Sequence, residues 1–206
     1  SPLDSDFSND AGGAVGSPAD NARNGDGTGV IGGADAATDE DDADPAYLAL
    51  PEIMVDKSVT NFEAAASGIP GHVDVTFQFR ILNSGNRTLS PLQLEDDLVE
   101  QLGAAFVGLT SAPQVISSTA TETPSINNSY TGGVLDQLLT GTDGILEPGQ
   151  DVVINLSTEI DPSAGPAPLV NEALAEAVDA TSTIVMDSDT AAIELPDCHL
   201  EVDCPP

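Results

Sequence analysis

The chain has 206 residues, of which 35 are acidic and only 4 basic, for a formal net charge of -31. That balance argues against a nucleic-acid partner and against an anionic membrane surface, since both present phosphates that Lys and Arg must neutralise. No apolar run approaches the roughly 18 residues of a membrane-spanning helix, and a start at Ser1 without Met suggests a mature chain whose leader was removed.

Residues 1–50 are rich in Gly, Ala, Asp and Asn, with an acidic run from Asp39 to Asp42. Such a segment buries too little apolar surface to offset its ordering entropy, so it is expected to be an extended arm. Two apolar islands interrupt it: Val30-Ile31, and Tyr47, Leu48 and Leu50 continuing to Ile53. From residue 51 the pattern changes to strands. Residues 52–62 read as a first strand or a pair of short ones. Residues 72–83 read as a second, with Val73, Val75, Phe77, Phe79 and Ile81 at every second position and therefore on one buried face.

Asn83-Ser84-Gly85-Asn86 supplies turn residues. Residues 89–98 form a third strand, with Leu92, Leu94 and Asp96 in one phase. Phe106-Val107 and Val115-Ile116 are short strand candidates, and residues 119–130 are polar. Residues 145–150 turn into an alternating strand over 152–160, and 161–168 is a Pro/Gly loop. Residues 169–179, LVNEALAEAVD, favour helix by propensity alone. Their place after that loop and between alternating strands predicts a strand instead. Residues 183–186 and 190–195 complete the set. At least seven short strands with intervening turns predict an all-β, immunoglobulin-like sandwich over 51–196, between the arm and a C-terminal tail of 197–206.

The blocks VDKSVTNF, HVDVTFQFRILNSGNRTLSPLQLEDDL, SYTGGVLDQLL, LEPGQDVVINLSTEI and LVNEALAEAV follow one another in order. In that order they resemble the conserved repeat of bacterial surface proteins known as domain of unknown function eleven. Asn83, Gly85, Asn86, Asp97, Leu98, Leu146, Pro148 and Gly149 match its pattern, while Val99 stands where that pattern has Pro. The resemblance implies an extracellular, immunoglobulin-like module, often repeated in stalks or fibres, with no enzymatic activity.

Candidate chemistry is sparse. Cys198 and Cys204 could close a small disulfide loop in an oxidising compartment. A metal site with His199 is the alternative, although zinc prefers closer cysteine spacing and a fourth ligand. Lys57 is the only lysine. In an apolar core a neutral Lys can condense with an amide beside a protonated acid, both states being products of burial. Asn83 or Asn171 would then be the acceptor and Asp96 or Asp97 the acid. The plainer expectation is an exposed Lys57 paired with a carboxylate. Glu95, Asp96 and Asp97 are weak calcium candidates, as are Asp39–Asp44 and Asp187-Ser188-Asp189; solvated turns are the ordinary reading of each.

His72 and His199 lie in no nucleophile motif, and 3% aromatic residues without Trp leave no stacking platform for a sugar. An enzyme is not expected. The excess acid either keeps an exported protein soluble or reflects adaptation to a salt- or calcium-rich medium. The functional expectation is a structural protein of the bacterial cell surface, a filament subunit. Its arm would add a strand (Tyr47 to Ile53, or Val30-Ile31) to the next copy, head to tail. A non-polymerising spacer or calcium-dependent adhesion module is the alternative.

Overall fold

The computed structural model describes residues 48–133 and 137–194; its contacts divide the chain between Leu48 and Ala49. Cys198, Cys204, Val30, Ile31 and Tyr47 lie outside the described residues. Two antiparallel sheets enclose one core. The first contains β1 (Ile53–Ala64), β2 (Val73–Asn83), β4 (Phe106–Leu109), β5 (Gln114–Ser118) and β6 (Asp151–Ile160). The second contains β3 (Leu89–Glu95), β7 (Val170–Asp179) and β8 (Ile184–Ala192). The first sheet runs β1-β2-β6-β4, with β5 also on β6, and the second runs β3-β7-β8. The molecule is an all-β sandwich.

Period-two patterning explains the layers. β2 buries Val75, Phe77, Phe79 and Ile81, and β6 buries Val152, Ile154, Leu156, Thr158 and Ile160. Opposite them, β3 contributes Leu89, Leu92 and Leu94, while β7 contributes Ala173, Ala175 and Ala177. Those alanines explain how a helix-favouring sequence becomes a strand. Every second residue from Asn171 to Asp179 is buried, and pairing with both β3 and β8 satisfies its backbone on both sides. Tertiary pairing outweighs propensity here.

The structure corrects three details of the strand reading. β3 stops at Glu95, and a short helix α1 (Leu98–Leu102) follows, capped by Asp97 Oδ1, which accepts from Glu100 N at 2.9 Å. Its signal is Asp at the cap with Glu three residues later, and Leu98 and Leu102 are both buried one turn apart. The two short final strands are one, β8, because nine residues pair continuously with β7. β1 runs two residues beyond Phe62, with a bulge between Val59 and Asn61.

Edges differ in how they are closed. The outer side of β3 is covered by the chain itself, through Leu89 and Leu146, Leu92 N to Asp143 O, and Leu138 N to Leu94 O. β4 and β5 pair with β6 and with no other described strand, and they expose Val107 and Ile116. That is the open side of the first sheet.

The turn after β2 packs on the approach to β1. Gly85 N donates to Glu52 O and Asn86 N to Leu50 O, and Leu50 N donates to Asn86 Oδ1. A Cβ on Gly85 would lie 2.3 Å from Leu50 O and 2.5 Å from Glu52 N. Both are backbone atoms, so Gly85→Ala is expected to destabilise the domain by about 1–3 kcal/mol, read as a lower urea midpoint with unchanged slope.

Candidate functional site

Three polar side chains from three segments meet in the core between the sheets. Lys57 follows Ile53 and Val55 on the inward face of β1, opposite Phe79 of β2. Asp96 continues the inward phase of Leu92 and Leu94 just beyond β3, and Asn171 opens the inward set of β7. Lys57 Nζ lies 2.9 Å from Asp96 Oδ2, with both side chains 0% exposed. Asn171 Nδ2 donates to the same Oδ2 at 3.2 Å. Asp96 is fixed from outside, since Tyr130 donates its hydroxyl to Asp96 O at 2.7 Å and Asp97 caps α1.

The expected exposed Lys57 is therefore not what the fold contains. Its position in the inward phase of an edge strand places the ammonium between two aromatic rings, 4.9 Å from the centroid of Phe77 and 5.0 Å from that of Phe79. Burial lowers its pKa to about 8, against the opposing pull of Asp96. Burial likewise raises Asp96 to about 6, against the pull of Lys57 and the Asn171 hydrogen bond. Each partner moves toward its neutral form, as desolvation requires.

The hydrogen bonding points the same way. Asp96 Oδ1 and Asn171 Oδ1 are both buried without a partner. Orphaned acceptors of this kind cost about 1–3 kcal/mol each. A proton on Asp96 turns one of the two acceptors into a donor, so the site can house the neutral acid as well as the carboxylate. The arrangement thus supplies a desolvated amine and a primary amide that both contact the same oxygen of one buried acid.

The remaining candidates separate. Asn83 is tied up in the turn: its Nδ2 donates to Arg87 O at 2.7 Å and Leu146 O at 2.8 Å, and its Oδ1 accepts from Gly85 N. It pairs with Ile53, four positions along β1 from Lys57. Glu95 is exposed while Asp96 turns inward and Asp97 caps α1, so these three do not converge on a cation. Among the described residues no group of three or more His, Cys, Asp or Glu could hold a metal. Ile53 is buried in this chain's own core, whereas Leu48 and Leu50 are exposed. A strand offered to a neighbour would thus lie before Ile53.

Alternation places Phe77 and Phe79 in the core but not around Lys57, and it misses a second contact. Asp187 Oδ2 accepts from Val55 N at 2.9 Å and Asp189 Oδ2 from Lys57 N at 2.8 Å. Period-two placement in β8 with Val185 and Ala191 was the available signal. Beyond these contacts a cavity of about 470 Å³ opens against Lys57, lined by Ser58, Val59, Phe62, Thr190, Ala191 and Glu194 among others.

No family model matches the chain, and no curated protein matches it. Among solved structures it is similar to BcpA, the major pilin subunit of Bacillus cereus, at 8% identity and a TM-score of 0.42, over 68% of this chain and 40% of that one. It is also similar to a FixG-related protein from Vibrio parahaemolyticus, at 9% identity and a TM-score of 0.30, over 71% of this chain and all of that one. A family 20 exo-β-N-acetylglucosaminidase from Vibrio harveyi matches at 14% identity and a TM-score of 0.34, over 75% of this chain and 20% of that one. The chain spans less than half the length of the pilin. No helix among the described residues is long and apolar enough to cross a membrane.

Proposed function

We propose that this chain is a load-bearing structural module of a bacterial cell surface, locked by an amide bond that it forms between its own Lys57 and Asn171. The observation that carries this reading is the buried contact of Lys57, Asp96 and Asn171 between the two sheets. In the step, neutral Lys57 Nζ attacks Asn171 Cγ. Asp96 gives its proton to the carbonyl oxygen and takes one from the attacking nitrogen. It then protonates the departing Nδ2 while the hydroxyl proton returns to it, so that the C–Nδ2 bond breaks and ammonia leaves. One C–N bond replaces another, no oxidant is needed, and Asp96 ends as it began. The cavity against Lys57 gives the ammonia room to leave.

Lys57 still titrates above Asp96, so the ion pair dominates and the reactive neutral pair is the minority form. Both forms hold the same number of protons, so their ratio does not change between the two pKa values. The rate of bond formation is therefore expected to be flat from about pH 6 to about pH 8. Below that window Lys57 stays protonated beside a neutral acid, and above it Asp96 lacks its proton. The rate should fall about tenfold per unit on either side. Mass spectrometry of the refolding, unlinked chain across pH 5–9 checks this.

A bond from β1 to β7 would tie the sheets together near both ends of the domain. Pulled from its termini, the domain would yield only the residues outside 57–171. The 113 residues between them would withhold about 390 Å of extension. Single-molecule stretching should find that length missing in the natural chain and restored in Lys57→Met; full extension of the natural chain would sink the reading.

The finer part of the proposal is assembly. Copies join head to tail outside the cell, a segment before Ile53 adding to the open side of β4 and β5 on the next copy, where main-chain hydrogen bonds supply the binding. What supports it is that side's lack of a described strand partner, with Val107 and Ile116 exposed along it. The resemblance to the surface repeat fits the same role. Electron microscopy should show filaments that vanish when residues 1–47 are removed. Filaments that survive the truncation would exclude the arm, and particles without it would leave a spacer.

A further inference from the structure

We infer that Asp187 and Asp189 are positioning residues for the Lys57–Asn171 bond, their carboxylates holding the free edge of β1 against β8 so that Lys57 meets its acid and its amide. The inference rests on the cross-linking reading above.

β1 is an edge strand of the first sheet, with only β2 beside it among the described strands. The amides of Val55 and Lys57 that point away from β2 would be unpaired there, a cost a folded chain avoids. No backbone of the second sheet reaches them. Instead Asp187 takes Val55 N and Asp189 takes Lys57 N, at 2.9 and 2.8 Å. The two bonds are spaced by two residues on both strands, so they fix β1 in translation as well as in distance. Asp189 pairs with Ala173 of β7, and Asn171 is the next inward residue of that strand. One rigid strand pair thus connects the anchor of the Lys57 backbone to the amide its side chain must attack.

Charge shows that the role is geometric. The acids whose charge reaches Lys57 are Asp96 after β3, Asp189 on β8 and Glu172 on β7, and each favours the protonated amine. A negative Asp189 therefore works against the reaction it positions. An uncharged acceptor of the same shape would hold β1 without that penalty. Carboxylates have one advantage at an edge: they accept hydrogen bonds and offer none, so the edge of β1 is capped without presenting a new donor.

The test follows ammonia loss by mass after the unlinked full-length chain is refolded from denaturant. Hydrogen exchange is read at the Val55 and Lys57 amides in the same samples. Asp189→Asn keeps a carbonyl acceptor and is expected to link at least as fast as the natural chain, with the alkaline limb of its pH profile moved to lower pH. Asp189→Ala loses the acceptor and is expected to link about 100-fold more slowly, the usual effect of an ångström-scale misplacement, with faster exchange at both amides. Asp187→Ala, which removes one anchor and leaves the one on Lys57, serves where Asp189→Ala does not fold, and should be slowed in the same sense. Linking at the natural rate in the alanine variants would overturn the positioning role while leaving the cross-link standing. Equal slowing in Asp189→Asn and Asp189→Ala would overturn it too, by showing that charge and not the acceptor matters. A natural chain that never loses ammonia overturns the cross-link and this role with it.

Discussion

The folded natural chain is expected to weigh about 17 Da less than its sequence, the mass of one ammonia released as the amine displaces the amide nitrogen. The deficit should be absent in Lys57→Met, Asn171→Ala and Asp96→Ala, and tandem mass spectrometry should find the β1 and β7 peptides joined. Asn83→Ala should keep the deficit, because Asn83 serves the turn after β2 and stands away from Lys57. An unshifted natural mass ends the proposal. The thermodynamic consequence is large because Lys57 and Asn171 stand 114 positions apart. A cross-link closing a loop of that length removes conformational entropy from the unfolded chain equivalent to about 5 kcal/mol. For a domain of this size that corresponds to a Tm lower by about 10–20 °C in Lys57→Met, measured by calorimetry.

The second large effect separates the variants that cannot link. Asp96→Ala is expected to be less stable than Lys57→Met by about 3 kcal/mol, although both lack the bond. In Lys57→Met an apolar side chain of similar length fills the space between Phe77 and Phe79, and the neutral Asp96 keeps its contact with Asn171. In Asp96→Ala the amine keeps its dry, aromatic surroundings and loses the counter-charge 2.9 Å away. It must stay ionised without a partner or give up its proton at neutral pH. Urea melts at pH 7 read the difference directly. The gap should also narrow as pH rises, because above the lowered pKa of Lys57 the unfolded chain binds the extra proton. Equal stability of the two variants at pH 7 would mean that the Lys57 amine is hydrated and that the site is not the dry one described here.

Much of this was legible in the residues because period-two reasoning assigns faces. Lys57 falls in phase with Ile53 and Val55, Asp96 with Leu92 and Leu94, and Asn171 with three alanines. Each phase thus points to the interior, for Lys57 against the plainer expectation of an exposed side chain. What alternation along one strand does not contain is which strands become neighbours. Choosing Asn171 over Asn83 required knowing that β7 lies beside β3, and that Asn83 sits at the far end of β2's pairing with β1. Choosing Asp96 over Asp97 required the helix cap, a five-residue feature easily lost behind a leucine-rich strand. Asp187 and Asp189 were legible only as acids. Their role depends on two edges meeting across the sandwich, a relation between distant segments that local pattern does not carry. The residues where local rules and the fold disagree most, a lysine and an acid in an apolar core, are those that carry the proposed chemistry.

The solitary lysine has a consequence for how copies of this chain can be joined. Once Lys57 is consumed, no side chain in the sequence carries a primary amine, and the cationic groups that remain are three arginines and two histidines. Enzymes that stitch surface subunits together through a lysine side chain would find no acceptor here. Amine-reactive dyes would label the folded protein at its N-terminus alone, and a lysine-specific protease would have no bond to cut. In the proposed polymer, lysine-based linkage between copies is therefore excluded, and the amide bond of Lys57 stays inside each subunit.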